Sequence, residues 1–482
     1  MSITELDATD LAPLLVLAPI LGAAVALIFR RMATTVSLLT TALSALLVVA
    51  LSCVISQNGA ANIVAGGWPK AFAISLYVDG LTLLMLAITG IVGFFVALYA
   101  KDYFSKTPNE TFWSVYLLLL AAINALALSR DIFNIYVTLE CLGLASVALV
   151  VSEQNEKTLS SALRYLMAAL VGSMLYLFGV AFLYHNYGTL NIDLLSNAIT
   201  HGPVTYTAMA LMVSGLMIKA AIFPLHFWLP AAHSSAPAPV SAILSALVVK
   251  ASAYLIIRLW LDLFSPLSVP MFAELLSLIG MVAIIWGSIQ ALLQTRLKLL
   301  IAYSTVAQLG YLMQGFVLAS ETAWQGVIYI ALSHALAKSA MFLAAGNIRH
   351  YSGDDRIGNL NEVIRKLPIT MTAFAIASMS IMGLPPSSGF IGKWLLLEAA
   401  LTEGRIFQAV VMAIGGILAS AYIFKVIGHA FTPGETAQSQ QRVTPIMSWT
   451  TMALALLSIL AGFSANELLA LFSVAMNFPG AA

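Results

Sequence analysis

Six side chains in this sequence could hold a proton and hand it on: Glu140, Lys219, Lys250, His334, Lys338 and Lys393, each set in an otherwise apolar stretch. An ammonium at the centre of a bilayer costs at least ~3 kcal/mol on insertion scales, so a chain that keeps four such lysines has a use for them. Glu140 lies about ten residues, or ~15 Å of helix, into DIFNIYVTLECLGLASVALVV, at the middle of its span. Lys219 is central in another. A carboxylate and an ammonium placed there lower each other's cost of charging, and a proton arriving nearby would open or close the pair. Lys250 follows at the middle of the next apolar stretch. His334 and Lys338 are four apart, on one helix face, and Lys393 lies about two turns beyond a double proline. The plainer readings are a structural carboxylate for Glu140 and snorkelling to an interface for any single lysine. We keep the second for Lys101 and Lys425.

The elements that position these groups are interrupted. In KAAIFPLHFWLPAAHSSAPAPVSAILSALVVK, between Lys219 and Lys250, Pro224, Pro230, Pro237 and Pro239 break a helix that should cross a membrane, and Pro385-Pro386 break a second. Pro224, Pro385 and Pro386 are the expected hinges. Backbone groups freed at such breaks need a polar or watery lining, and broken spans beside buried ionisable residues mark ion paths. His226 and His233 are seven apart with Pro230 between them, which denies them a common rigid scaffold. They read as helix caps or a solvated proton entrance, not as metal or haem ligands. The two cysteines, Cys53 and Cys141, both lie in apolar spans and cannot build a disulfide framework or an iron–sulfur cluster. Gly392-Lys393 hints at a phosphate loop, but Ser387 stands where its first glycine belongs and Trp394 where Ser or Thr is required. ATP is thereby excluded as a direct energy source, and neither a cofactor nor a metal is expected.

Of 482 residues, 61% are hydrophobic and 9% charged, against roughly 25% charged in a soluble domain. The chain reads as an all-α polytopic membrane protein without an extramembrane domain. With 22 Lys+Arg against 21 Asp+Glu there is no case for nucleic acid. Windows of about 20 apolar residues place spans near 11–29, 34–54, 78–100, 112–129, 131–152, 159–184, 205–229, 238–261, 271–294, 297–319, 322–348, 368–400, 406–430 and 446–474, about fourteen helices. They group as three N-terminal helices (1–100), two five-helix repeats (112–262 and 271–430) and a C-terminal helix (446–474). The repeats are inverted, since five spans separate the copies. Aligned, the Pro224 break (IFPLH) meets the Pro385 break (GLPPS), and Glu140-Cys-Leu-Gly meets Gln308-Leu-Gly.

One set of loops collects Arg30, Arg31, Lys101, Lys106, Lys157, Arg164, Arg296, Lys298, Arg349, Arg356, Arg365, Lys366, Lys425 and Arg442; the other holds only Lys70, Arg130, Arg258 and Arg405. The positive-inside rule then puts both termini outside. The acidic start MSITELDATD lacks the basic head of a signal peptide, so the first span is expected to stay in place.

Glu140 in its span, IKAAIFPLHFWLPAAHSSAPAPVSAILSALVVKASAYLIIR, SHALAKSAMFLAAG and MGLPPSSGFIGKWLLLE together resemble the antiporter-like subunits shared by respiratory complex I, membrane-bound hydrogenases and Mrp-type multisubunit sodium/proton antiporters. The resemblance covers about 112–430. It implies fourteen helices, a Glu140–Lys219 switch pair, Lys250 as connecting residue and Lys393 as terminal proton-loading site. With no lateral helix after the last span, the chain looks like the D-type Mrp subunit or its M- and N-type complex I relatives. It departs from the pattern at Ala231, where an acid usually follows WLP, and in LVVKASAYLIIR, where small glycine-rich sequence is commoner. The expected function is a proton-translocating subunit of a multisubunit Na+/H+ antiporter in a bacterial-type inner membrane, with other membrane subunits, the lipid bilayer, H+ and Na+ as partners. The alternatives are a proton-pumping subunit of a redox complex, the one case in which it would count as a translocase, and the membrane subunit of an inorganic-carbon uptake system.

Overall fold

In a bilayer a long apolar run satisfies its backbone by closing each N–H onto a carbonyl four residues back. A computed structural model of the chain describes residues 7–64, 74–105, 110–152, 156–267, 269–433, 441–476 and 478. Lys70 and Lys106, both used above to orient the chain, and its two ends lie outside them. The N-terminal helices are α1 (Ala8–Ile28), α2 (Ala33–Asn58) and α3 (Gly80–Tyr103), followed by α4 (Glu110–Leu128), α5 (Ile132–Val150) and α6 (Glu156–Tyr187). Next come α7 (Pro203–Lys219), the short α8 (Leu229–Ser235) and α9 (Ala238–Leu267), then α10 (Pro270–Leu293), α11 (Leu297–Leu312) and α12 (Glu321–Ser352). The chain continues through α13 (Pro368–Met382), α14 (Ser388–Thr402), α15 (Ile406–Phe431), α16 (Pro445–Phe463) and α17 (Ala465–Phe472).

The protein is a many-helix membrane bundle. Among the described residues, 11 helices are long and apolar enough to cross a bilayer unaided. The expected span 368–400 is a pair of shorter helices, α13 with α14; the expected span 205–229 is helical only as far as Lys219, with α8 starting at its last residue; and the expected span 297–319 stops at Leu312 before the one-turn helix Gly315–Leu318. Two helices form the centre: the apolar window of α9 is wholly buried, and that of α12 is 94% buried, against 39% for α1, α2, α15 and α16.

Local signals set the helix starts. Asp79 accepts from the Thr82 N–H ahead of α3, Asp131 from Phe133 and Asn134 ahead of α5, and Ser387 from Phe390 ahead of α14. Helices α6 and α7 pack backbone against backbone: a Cβ on Gly215 would run into the Gly172 carbonyl oxygen, while one on Gly172 would lie 3.1 Å from Cγ of Lys219. Small residues at such contacts let membrane helices approach closely, and here that approach seats Lys219.

Two features went unforeseen. An antiparallel hairpin, β1 (Ala61–Val64) with β2 (Ser75–Val78), links α2 to α3. Helix α9 is not uniform: π turns at Leu244–Val248 and Trp260–Phe264 flank its regular segment Val249–Leu259.

Candidate functional site

Helix α7 ends at Lys219 because the chain turns there: Ala220 closes the last turn, Ala221 adopts a left-handed φ of 53°, and Phe223–Pro224 is cis. The carbonyl of Ile218, which takes the Ala221 N–H at 3.1 Å, also accepts from the Trp228 indole at 2.8 Å. Trp228 is itself fixed, fully buried and stacked on Tyr165 with ring centroids 4.1 Å apart. The polar lining expected at the first break is therefore supplied by the protein.

Lys219 Nζ lies 3.5 Å from Glu140 Oε1 and donates to the Leu139 carbonyl at 3.2 Å. The pair forms as expected, but unequally buried: the Lys219 side chain is 7% exposed and the Glu140 side chain 24%. Glu140 thus faces the rim of the bundle and Lys219 its interior. A small cavity lined by Lys219, Gly143, Tyr165, Val248 and Ser252 leads from the pair to α9.

Lys250 follows the first π turn of α9 and donates to the Ser245 carbonyl inside that turn at 2.7 Å. Ser245 Oγ lies 3.0 Å from Thr305 Oγ1 of α11, and Thr305 bonds the Ile301 carbonyl at 3.1 Å. Lys338 of α12 bonds the same Ile301 carbonyl at 3.1 Å and also donates to Ser304 Oγ. His334, one turn away on α12, lies within Coulombic reach of Lys250, Lys338 and Lys393, and its Nε2 has no partner among the described residues.

Lys393 closes the row at the second break. Helix α13 ends at Gly383, whose φ of 82° is left-handed, and Pro385–Pro386 is cis. The carbonyls freed there are taken by Lys393 Nζ, at 2.7 Å from Ile381 O and 3.2 Å from Met382 O, and the Gln308 amide donates to Ile381 O at 3.3 Å. The ammonium sits at the negative end of a helix dipole and 4.8 Å from the centre of the Tyr311 ring. His334, Lys393, Gln308, Ser333 and Ser380 line one small cavity.

The six sequence-predicted residues thus lie on α5, α7, α9, α12 and α14, with Thr305 and Ile301 of α11 between Lys250 and Lys338. The chemistry of the row is uneven. Lys219 meets a carboxylate, whereas Lys250, Lys338 and Lys393 are held by carbonyl and hydroxyl oxygens. Neutralising a lysine beside a carboxylate leaves an uncompensated buried charge; neutralising one beside a carbonyl does not. These oxygens hold an amine in either state.

Several residues sit elsewhere than the sequence suggested. Lys298, counted with the loops, is buried, and its Nζ donates to the Ala236 carbonyl at 2.6 Å; with Arg296 and the turn before α11 as neighbours, nothing local marked it as internal. Arg258, also counted with the loops, is buried in an ion-pair network with Asp79 and Asp262. Removing both from the loop count does not reverse its sign. His233 is neither a cap nor a solvated entrance: it is fully buried, stacked 4.5 Å from the Phe342 ring, with both ring nitrogens unpartnered among the described residues. Lys425 donates to the carbonyls of Leu292 and Gln294, each at 2.8 Å, at the end of α10.

Residues 129–419 match the family model described as NADH:quinone oxidoreductase/Mrp antiporter, TM, and residues 70–112 that described as NADH-Ubiquinone oxidoreductase (complex I), chain 5 N-terminus. The chain is 35% identical over 377 residues to the N-type subunit of NADH-quinone oxidoreductase of Desulforudis audaxviator, covering 76% of this chain and 75% of the relative. It is 28% identical over 457 residues to the D-type subunit of the Na(+)/H(+) antiporter of Bacillus subtilis, covering 93% and 92%. Its fold matches a chain of the Mrp complex from Dietzia sp. DQ12-45-1b with a TM-score of 0.90, 24% identity and coverage of 97% and 96%. The chain belongs to the family of transmembrane subunits shared by NADH:quinone oxidoreductases and Mrp antiporters.

Proposed function

We propose that the chain is the proton-translocating, antiporter-like subunit of a multisubunit Na+/H+ antiporter in a bacterial-type cell membrane, working beside other membrane subunits. The observation that carries this reading is the row of buried amines from Lys219 to Lys393, in which, among the described residues, only the first is tied to an acid. Protons move along Glu140, Lys219, Lys250, His334, Lys338 and Lys393, and the chain turns at Pro224, Pro385 and Pro386 act as hinges. The segments 112–262 and 271–430 are inverted copies, supported by the placing of one break in each. Both termini lie outside, supported by the basic-residue count.

The test is the complex in liposomes, with proton movement followed after a sodium pulse. Sodium-driven exchange that is lost in Lys250→Ala supports the reading; exchange that survives Lys250→Ala and Lys393→Ala together reduces the subunit to a scaffold. A second reading, the proton-pumping subunit of a redox complex, is favoured by the 35% identity to an N-type relative. It predicts proton movement only during quinone reduction and none after the sodium pulse.

A further inference from the structure

Lys250, Tyr254 and Arg258 follow one another at four-residue steps on the regular segment of α9, so they share a face, with Arg258 about 12 Å from Lys250 along the axis toward the hairpin. Arg258 is held on every side. Its Nη1 and Nη2 fork onto Asp79 Oδ2 and Oδ1 at 2.6 Å each, Nη2 reaches Thr82 Oγ1 at 2.9 Å, and Nη1 reaches Asp262 Oδ2 at 3.1 Å. It also donates to the Tyr254 hydroxyl, which in turn donates to the Ala127 carbonyl at 2.7 Å. The same Oδ2 of Asp262 accepts from Arg130, whose Nε bonds Asp193 at 2.8 Å. The hairpin closes over this set: Asn62 donates to Asp193 at 3.1 Å, and the Tyr77 ring lies 4.3 Å from the Arg130 guanidinium carbon and 5.8 Å from that of Arg258.

The chemistry of this cluster is opposite to that of the row. Guanidiniums stay charged at any working pH, so they neither pass a proton nor admit one; fixed arginines act as electrostatic barriers in selective pores. Burial opposes the charged form of Asp79, but Arg258 and the Thr82 hydrogen bonds outweigh it and hold the carboxyl below its ordinary value. Buried charges of this kind are weak sources of stability, which leaves their position, across the way from Lys250 to the hairpin face, in need of a reason.

We propose that Arg258, Asp79, Asp262 and Arg130 form a charge seal between Lys250, in the middle of the proton row, and the hairpin face, which opens when Asp262 releases one of its two arginines. Asp262 is suited to that part. It sits inside the second π turn of α9, its side chain is 19% exposed against 4% and 3% for Arg258 and Asp79, and one oxygen serves both arginines. Reversion of a π turn to an α turn takes one residue out of the turn and turns the residues within and beyond it by up to about 100° relative to Arg258, enough to carry Asp262 off its partners.

The inference rests on the proton-row reading, and the test separates the two. The intact complex is placed in liposomes with an imposed pH gradient and no sodium. Asp262→Asn is expected to dissipate the gradient several-fold faster than wild type, and adding Lys250→Ala is expected to abolish that leak. A gradient held as in wild type by intact Asp262→Asn complex overturns the seal, as does a leak that persists with Lys250→Ala, since it bypasses the row. Arg130→Gln, which takes one arginine from Asp262 and leaves Arg258 in place, is the second variant and is read the same way should Asp262→Asn fail to assemble. The row itself is tested separately, by sodium-driven exchange in Lys250→Ala and in Lys250→Ala with Lys393→Ala, where Asp262 is left intact.

Discussion

Lys393 Nζ lies 2.7 Å from the carbonyl of Ile381, twelve residues earlier in the chain, so the charge that ends the row is also the group that caps the broken helix α13. Position and charge are joined at that contact. A change that disturbs the end of α13 should disturb transport, and the reverse.

Gly383→Ala tests the join. Gly383 has a left-handed φ of 82°, and a Cβ there would stand 2.7 Å from Cδ of Lys393. The backbone preference alone costs about 1 kcal/mol, and the lysine must also give way. The expected result is a complex that assembles with a lowered melting temperature and with exchange reduced well beyond that loss. Unchanged exchange in an assembled Gly383→Ala complex would separate Lys393 from the path.

Trp228→Phe probes the first break. The ring can still stack on Tyr165, but the Ile218 carbonyl loses its indole donor and keeps only the Ala221 N–H at 3.1 Å. Loss of one hydrogen bond at an acceptor that keeps another costs about 0.5–1.5 kcal/mol. We expect a lower melting temperature and weaker exchange, because the carbonyl lies one residue before Lys219. A variant as stable and active as wild type would show that water or another group satisfies the break.

Lys298→Met distinguishes an internal lysine from a loop charge. Lys298 is buried and bonded to Ala236 at the end of α8, so its loss should lower exchange while leaving the orientation of the chain unchanged. Full activity in Lys298→Met, with Lys250→Ala inactive in the same membranes, would confine it to structure.

Most of the path was legible because a charge inside an apolar run is costly enough to stand out, as at Glu140, Lys219 and Lys393. Lys298 and Arg258 escaped because each lies near the end of an apolar run, where snorkelling is the ordinary reading, and only tertiary contacts to Ala236 and Asp79 draw them inside. The breaks were legible from their prolines, but the groups that satisfy them were not: Trp228 and Lys393 act from ten and twelve residues away. The hairpin was missed because four-residue strands leave too short an alternation to read, and the π turns of α9 leave no mark in a run that is apolar on all sides.

The last prediction concerns Glu140 and Lys219, the one place in the row where an amine meets a carboxylate. If the two act as a unit, Glu140→Ala and Lys219→Ala should each abolish exchange, and the double variant should do no further harm, since effects within a unit are not additive. Assembly should survive, because the partner left in each single variant can shed its charge: an unpaired buried Lys219 gives up its proton, and Glu140 is already partly open at the rim. Lys219→Arg separates the two accounts of the pair. Arginine keeps the positive charge beside Glu140 but does not surrender its proton. A pair that only fastens α5 to α7 tolerates the change, whereas a relay that hands the proton from Lys219 toward Lys250 stops. We expect sodium-driven exchange in Lys219→Arg complex to fall to the level of Lys219→Ala, with subunit composition and melting temperature close to wild type. Wild-type exchange in Lys219→Arg would return Glu140 and Lys219 to the status of a structural ion pair and place the first proton-carrying residue at Lys250.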